Sequence, residues 1–142
     1  MGKEVGKVLS VFKSKQKSDE LLLDESGVVG DKFYAKNTSR SVLLISQKSY
    51  DLAKKAGINP PYGSLGENIL LDFNPYNLPL GTKIKIADVV LEISQNCTLC
   101  NSLSKVDAKL PKLLKEDRGI FAKVVKGGVI KENEKIFLKG EN

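Results

Sequence analysis

Residues 82–94 read Thr82-Lys-Ile-Lys-Ile-Ala-Asp-Val-Val-Leu-Glu-Ile-Ser94. In Thr82–Ala87 apolar and charged side chains alternate, the period of a half-buried strand. Ala87-Asp88 then joins this run to Val89–Ser94, so the stretch predicts a β-hairpin with a two-residue turn. Reading outward, most of the chain breaks into similar short pieces. Residues 5–12, Leu21–Leu23 and Arg40–Ser46 are predicted strands, the last buried by its β-branched and leucine content. Ile69–Asp72 is another, following Gly66-Glu67-Asn68. At the C-terminal end, Gly119–Lys126, a Gly127-Gly128 turn and Val129–Leu138 predict a last hairpin. Residues 13–20 and 35–39, Pro60-Pro61-Tyr62-Gly63 and Asn74–Pro79 are predicted loops.

Two places change period. Ser46 or Ser49 is positioned to cap a helix through Leu52, Ala53 and Ala56, and Gly57 to end it. Lys105–Lys115 also has helical spacing, but Pro111 divides it into two short turns. The expected fold class is mainly β, a closed or partly closed β-barrel with short helical insertions. The chain of 142 residues is expected to form a single domain, residues 1–142. No apolar run approaches the roughly 20 residues that span a bilayer. The N-terminal Met-Gly-Lys-Glu-Val has no signal-peptide core, so the expected location is cytoplasmic, with no membrane partner.

The composition excludes several chemistries. There is no histidine, so imidazole bases and histidine metal sites are ruled out. The net charge of +6 is concentrated in residues 101–142, which carry 10 basic and 6 acidic groups. This favours an anionic ligand or partner. Aromatic residues are sparse and not interleaved with the lysines, which argues against nucleic acid; most lysines read as solvated surface. Of 23 basic residues only Arg40 and Arg118 are arginine. Arginine alone offers a planar fork for phosphate or carboxylate; the alternative is a structural ion pair to Asp31 or Asp117.

The two cysteines lie in Asn96-Cys97-Thr-Leu-Cys100. One C-x-x-C supplies two of about four ligands that a structural zinc site needs, and no histidine or third cysteine completes it. A redox pair and a lone reactive thiolate are further readings. Lys105, Lys109 and Lys112 provide the cationic field that favours a thiolate. The structural alternative is a pair of small buried side chains at a strand end.

Six ordered motifs, spanning roughly Val5 to Phe137, resemble the MOSC domain, named for the C-terminal domain of molybdenum cofactor sulfurases. They are Gly30-Asp31-Lys32, Arg40-Ser-Val-Leu-Leu, Gly66-Glu67-Asn68-Ile69, Leu78-Pro-Leu-Gly81, Ser94-Gln95 followed by Cys100, and Arg118-Gly119-Ile-Phe-Ala-Lys-Val with Gly127-Gly128. The chain is similar to a small stand-alone member of bacterial type. Cys100 stands at the family's cysteine position and Cys97 is extra. Where many small members carry histidine after the Gly-Asp motif, this chain has Phe33-Tyr34.

The resemblance implies a MOSC-type β-barrel and a role in molybdenum-cofactor chemistry. Cys100 would be the reactive residue and a molybdenum ligand. Lys32, Arg40, Asn68, Arg118 and Lys123 would bind the anionic cofactor, molybdopterin. It further implies reduction of N-hydroxylated substrates with a separate electron-donor protein. The alternative it implies is a sulfur carrier, with Cys100 loaded as a persulfide by a separate cysteine desulfurase. No pyridoxal phosphate site is expected within this chain. A structural or regulatory barrel without a cofactor is the third reading.

Overall fold

The computed structural model describes residues 3–14, 16–31, 34–36, 41–76, 78–96 and 119–138. The hairpin that organises it is β7 (Lys83–Ile86) and β8 (Val89–Asn96), paired antiparallel with Lys83 opposite Glu92 and Ile86 opposite Val89. Ala87 opens the two-residue turn at φ 53°, the positive φ that matches such a turn to the twist of its strands. Ile84, Ile86, Val89, Leu91 and Ile93 point into the core, and Lys83 and Lys85 face solvent.

Around the hairpin a barrel of seven strands closes. The other members are β1 (Lys3–Lys13), β5 (Val42–Ser46), β6 (Ile69–Leu71), β9 (Ile120–Lys126) and β11 (Lys135–Leu138). Their order is β11-β7-β8-β9-β5-β6-β1, and pairing of β1 with β11 completes the ring. All pairs are antiparallel except β5 with β6. That parallel pair needs a crossover, which α1 (Gln47–Lys55) and the loop after it provide. The barrel therefore bears out the mainly β expectation, and closure leaves free edges only at strand ends such as the end of β1.

Residues 13–20, predicted as a loop, contain β2 (Gln16–Ser18), which folds back on the end of β1. Their Lys/Ser composition hid a strand because only backbone pairing, not burial, holds it there. The predicted last hairpin also differs. β9 pairs with β8 and β5, whereas β10 (Gly128–Lys131) pairs with β3 (Glu20–Asp24). With β4 (Gly27–Val28) they form a separate three-stranded sheet. A Cβ on Gly127 would lie 2.3 Å from the Leu23 carbonyl oxygen, so only glycine lets the chain cross so closely onto β3. The gain is burial of Ile130 with Leu21, Leu23 and Val28 in the barrel's own cluster.

Contacts at the glycines locate this small sheet. Gly128 lies against Val89 and Asp88, and Gly27 against Ser41. The sheet therefore covers the end of the barrel that holds the β7–β8 turn and the start of β5.

Helix α1 covers part of the barrel's outside. Ser46 is its N-cap, its hydroxyl accepting from the Lys48 amide at 3.0 Å. At the other end Gly57, at φ 83°, and Ile58 donate to the carbonyls of Lys54 and Ala53, the Schellman pattern. Tyr50 and Ala53 pack with Phe12, Leu43, Ile45, Leu65 and Leu70 in a second cluster outside the strands, with Phe121 of β9 at its margin. Among the described residues no helix is long and apolar enough to cross a membrane. The predicted turns over Lys105–Lys115 lie outside the described residues.

Candidate functional site

The two ends of the barrel differ in what they hold. Ser41 leads into β5 at the covered end. There Asp31 and Asn68 meet: the Asn68 Nδ2 donates to Asp31 Oδ1 at 3.3 Å and to the Phe12 carbonyl at 3.3 Å. Its Oδ1 accepts from the Leu43 amide at 3.0 Å. Asp31 Oδ1 also accepts from the Ser14 amide at 2.7 Å. The Asn68 amide thus ties β1, β5 and the Gly30-Asp31 turn together, with both of its ends bonded to protein. Buried polar groups engaged this fully are costly to redirect toward a ligand.

The residue before Asn68 explains the rest of the Gly66-Glu67-Asn68 motif. Glu67 is 1% exposed. Its carboxylate accepts from the Tyr50 hydroxyl, which lies 2.6 Å and 2.7 Å from the two oxygens, and from the Gly63 amide at 3.0 Å. Burial raises the Glu67 carboxyl above its usual range, against the hydrogen bonds that lower it. Burial and the Glu67 charge likewise hold the Tyr50 phenol above its usual range. The pair pins the 60–66 loop onto α1. Tyr62 of that loop stands edge-on to Tyr50, with centroids 4.9 Å apart. Sequence reading missed Tyr50; its only signal was a tyrosine on the face of α1 that also carries Ala53.

At the opposite end β8 and β9 are still paired at Asn96 and Ile120. Asn96 is seven residues along β8 from Val89, about 23 Å. Adjacent antiparallel strands need only a two-residue turn, yet here residues 97–119 intervene, with both cysteines and Arg118. Gly119 brings the chain back into the barrel. A Cβ there would lie 2.8 Å from Leu43 Cδ1 and Ile45 Cγ1 and 3.1 Å from the Leu44 carbonyl oxygen. That crowding explains why glycine follows Arg118.

Of the residues expected to form the site, Cys100, Lys32, Arg40 and Arg118 lie outside the described residues, as does Cys97. Asn68 and Lys123 are described and are not brought together. Lys123 is on the outer face of β9, its Nζ 3.4 Å from a carboxylate oxygen of Glu92. β5 and β9 run antiparallel with Leu44 opposite Ile120. Ser41 and Gly119, the neighbours of Arg40 and Arg118, are therefore separated by roughly four residues of strand, about 13 Å. Among the described residues no group of three His, Cys, Asp or Glu side chains is arranged to hold a metal ion.

Comparison with known proteins agrees with this architecture. The structure is similar to YuaD from Bacillus subtilis (TM-score 0.76, 18% identity, covering 99% of this chain and 97% of that one). It is also similar to YiiM from Escherichia coli (0.76, 19%, covering 97% and 71%). YiiM from Geobacillus stearothermophilus is a further neighbour (0.73, 16%, covering 98% and 73%). At these identities the likeness concerns the fold. A search of curated proteins returns no match. The family model of the MOSC domain matches residues 29–137, which include Asp31 and Asn68, the paired strands β8 and β9 and the cysteine-bearing connection between them. The chain belongs to the MOSC domain family.

Proposed function

We propose that this protein binds molybdenum cofactor through the Cys100 thiolate and supports reduction of N-hydroxylated substrates with electrons from a separate donor. The observation that carries the reading is the long connection between two paired strands, at the barrel end away from the small sheet. Residues 97–118 carry two thiols, four lysines and Arg118 against three acidic groups. That donor set suits a ligand that is both anionic and sulfur-bearing: a thiolate is a soft metal ligand, and the guanidinium fork takes phosphate. When bound, the cofactor would supply a redox-active metal centre. In this reading Arg118 is the phosphate partner nearest in sequence to Cys100; Arg40 and Lys32 adjoin Ser41 and Asp31 at the covered end and Lys123 is paired with Glu92, so these three are further contacts only for a ligand that reaches along the barrel toward Ser41. Asn68 acts as a support for the Gly30-Asp31 turn, because its amide is already bonded on both sides.

The test is native mass spectrometry with elemental analysis on protein made in a host that synthesises molybdenum cofactor. The expected result is a pterin adduct with molybdenum near one per chain, lost in Cys100→Ser and kept in Cys97→Ser. A sulfur adduct on Cys100 without molybdenum replaces this reading with the persulfide carrier. A bare chain in every variant overturns both.

A further inference from the structure

Helix α1 and its loop cover the outside of β5 and β6, and the apolar cover ends at Phe121 of β9. Beyond it, among the described residues, the outer face of β7, β8 and β9 presents exposed Lys83, Lys85, Lys123 and Lys126 around a buried Val90, and the registers define its pattern. Lys85 stands opposite Val90, and Val90 opposite Lys126. Lys83 stands opposite Glu92, and Glu92 opposite Lys123. Four lysines thus form the corners of a frame with Val90 and Glu92 between them. Strand geometry sets its sides at about 6.6 Å along a strand and about 9.6 Å across two strand spacings. A bulge in β9, where Val125 is the extra residue opposite Val90 and Leu91, leaves Val125 40% exposed beside Lys126. Among the described residues the ion pair inside the frame is Lys123 with Glu92.

We infer that the outer face of β7, β8 and β9 is a docking surface for an extended acidic segment of a partner protein, with carboxylates at alternate positions. The Lys83–Lys85 spacing along β7 equals the spacing of residues i and i+2 in an extended chain. Carboxylates at those positions meet both ammonium groups, while the residue between them points away to solvent. Glu92 sets what is refused. A continuous polyanion laid across the frame would bring charge against its carboxylate. The frame has no arginine fork for phosphate. It has no exposed aromatic ring on which a base could stack or that could enter a lipid surface. These features favour a protein segment over nucleic acid or membrane, and the inference does not rest on the cofactor reading.

Fluorescence anisotropy on the full chain tests it, with a labelled peptide alternating Glu and Ser. Binding is expected at low ionic strength, falling as salt rises. The triple variant Lys83→Ser/Lys85→Ser/Lys126→Ser leaves the Lys123–Glu92 pair intact and should weaken binding at least about tenfold, or 1.4 kcal/mol. A variant removing the same charge from α1, Lys48→Ser/Lys54→Ser/Lys55→Ser, should bind as the parent does. Circular dichroism of both variants shows that the fold is kept. Absence of binding at low salt, equal losses in the two variants, or tighter binding of a single-stranded oligonucleotide or of phosphatidylserine vesicles than of the peptide would each overturn the proposal.

Discussion

The Tyr50 hydroxyl sits 2.6 Å and 2.7 Å from the two carboxylate oxygens of Glu67, joining α1 to the turn that precedes β6. The same hydroxyl accepts from the Gly63 amide at 3.0 Å. One phenol thus holds the helix, the 60–66 loop and a buried acid in register. Tyr50→Phe removes the donor and leaves Glu67 short of a partner in a buried site. A loss of about 2 kcal/mol is expected, measured as a lower urea midpoint at an unchanged slope. A midpoint equal to that of the parent would show that the contact contributes nothing.

Glu67 also predicts a pH dependence with a definite sign. Its carboxyl in the folded chain is raised above the ordinary value of 4.5. The folded state therefore holds this proton more tightly than the unfolded state does. Its contribution is fully present below the unfolded value and is lost as pH rises through the raised one. The stability of Glu67→Gln relative to the parent should accordingly increase from about pH 4.5 upward, the span over which the parent must ionise a buried group. Paired denaturation curves across that span check it; a flat or falling difference would contradict the assignment.

Asn68 is expected to behave as a structural amide. Asn68→Ala removes three hydrogen bonds and should cost about 3 kcal/mol. Asn68→Asp faces the Asp31 carboxylate and the Phe12 carbonyl with an acceptor in place of a donor. Its penalty should exceed that of Asn68→Ala at neutral pH and shrink in acid as the introduced carboxylate protonates. Chemical denaturation of both variants at two pH values separates these outcomes; an Asp variant as stable as the parent would rule out the geometry.

Gly127→Ala should be the most damaging glycine substitution along the barrel's return path. Its Cβ would meet backbone at 2.3 Å, where no side chain can move aside. At Gly119 the nearest atoms belong to the leucine and isoleucine side chains, which can shift. About 3 kcal/mol is expected at Gly127 and less at Gly119. Thermal melts followed by far-ultraviolet circular dichroism would reveal the order, and a reversed order would disprove the close crossing of β3.

If Arg40 and Arg118 both hold the proposed cofactor, their effects should multiply. Their sequence neighbours Ser41 and Gly119 lie about 13 Å apart, beyond the range in which substitutions normally couple. Arg40→Lys and Arg118→Lys keep the charge and remove the fork. Each is expected to lower cofactor retention, and the double variant to lower it by the product. A double variant no worse than either single one would mean that both arginines act on one anionic group.

Much of this protein follows from local chemistry and is legible in the amino-acid sequence by itself. The alternation of Lys83–Ile86 and the Ala87-Asp88 turn determine a hairpin, because side chains on a strand alternate faces whatever surrounds them. Ser46 and Gly57 bound α1 for equally local reasons, a hydroxyl for an orphan amide and a left-handed residue for the last carbonyls. The order of the motifs and the family follow likewise from residue identity and spacing. Partner choice is not local. Gly127-Gly128 reads as the turn of a hairpin, yet the free energy of burying Ile130 beside Leu21 and Leu23 carries β10 to another sheet. Gln16–Ser18 is a strand only because the end of β1 offers it a free edge. Asn68 reads as a ligand by its motif, and only the approach of Phe12, Asp31 and Leu43 from distant parts of the chain makes it a buried tie. The four-lysine frame likewise exists only through register, since Lys83 and Lys126 lie far apart in sequence and are brought onto one face by the strand between them.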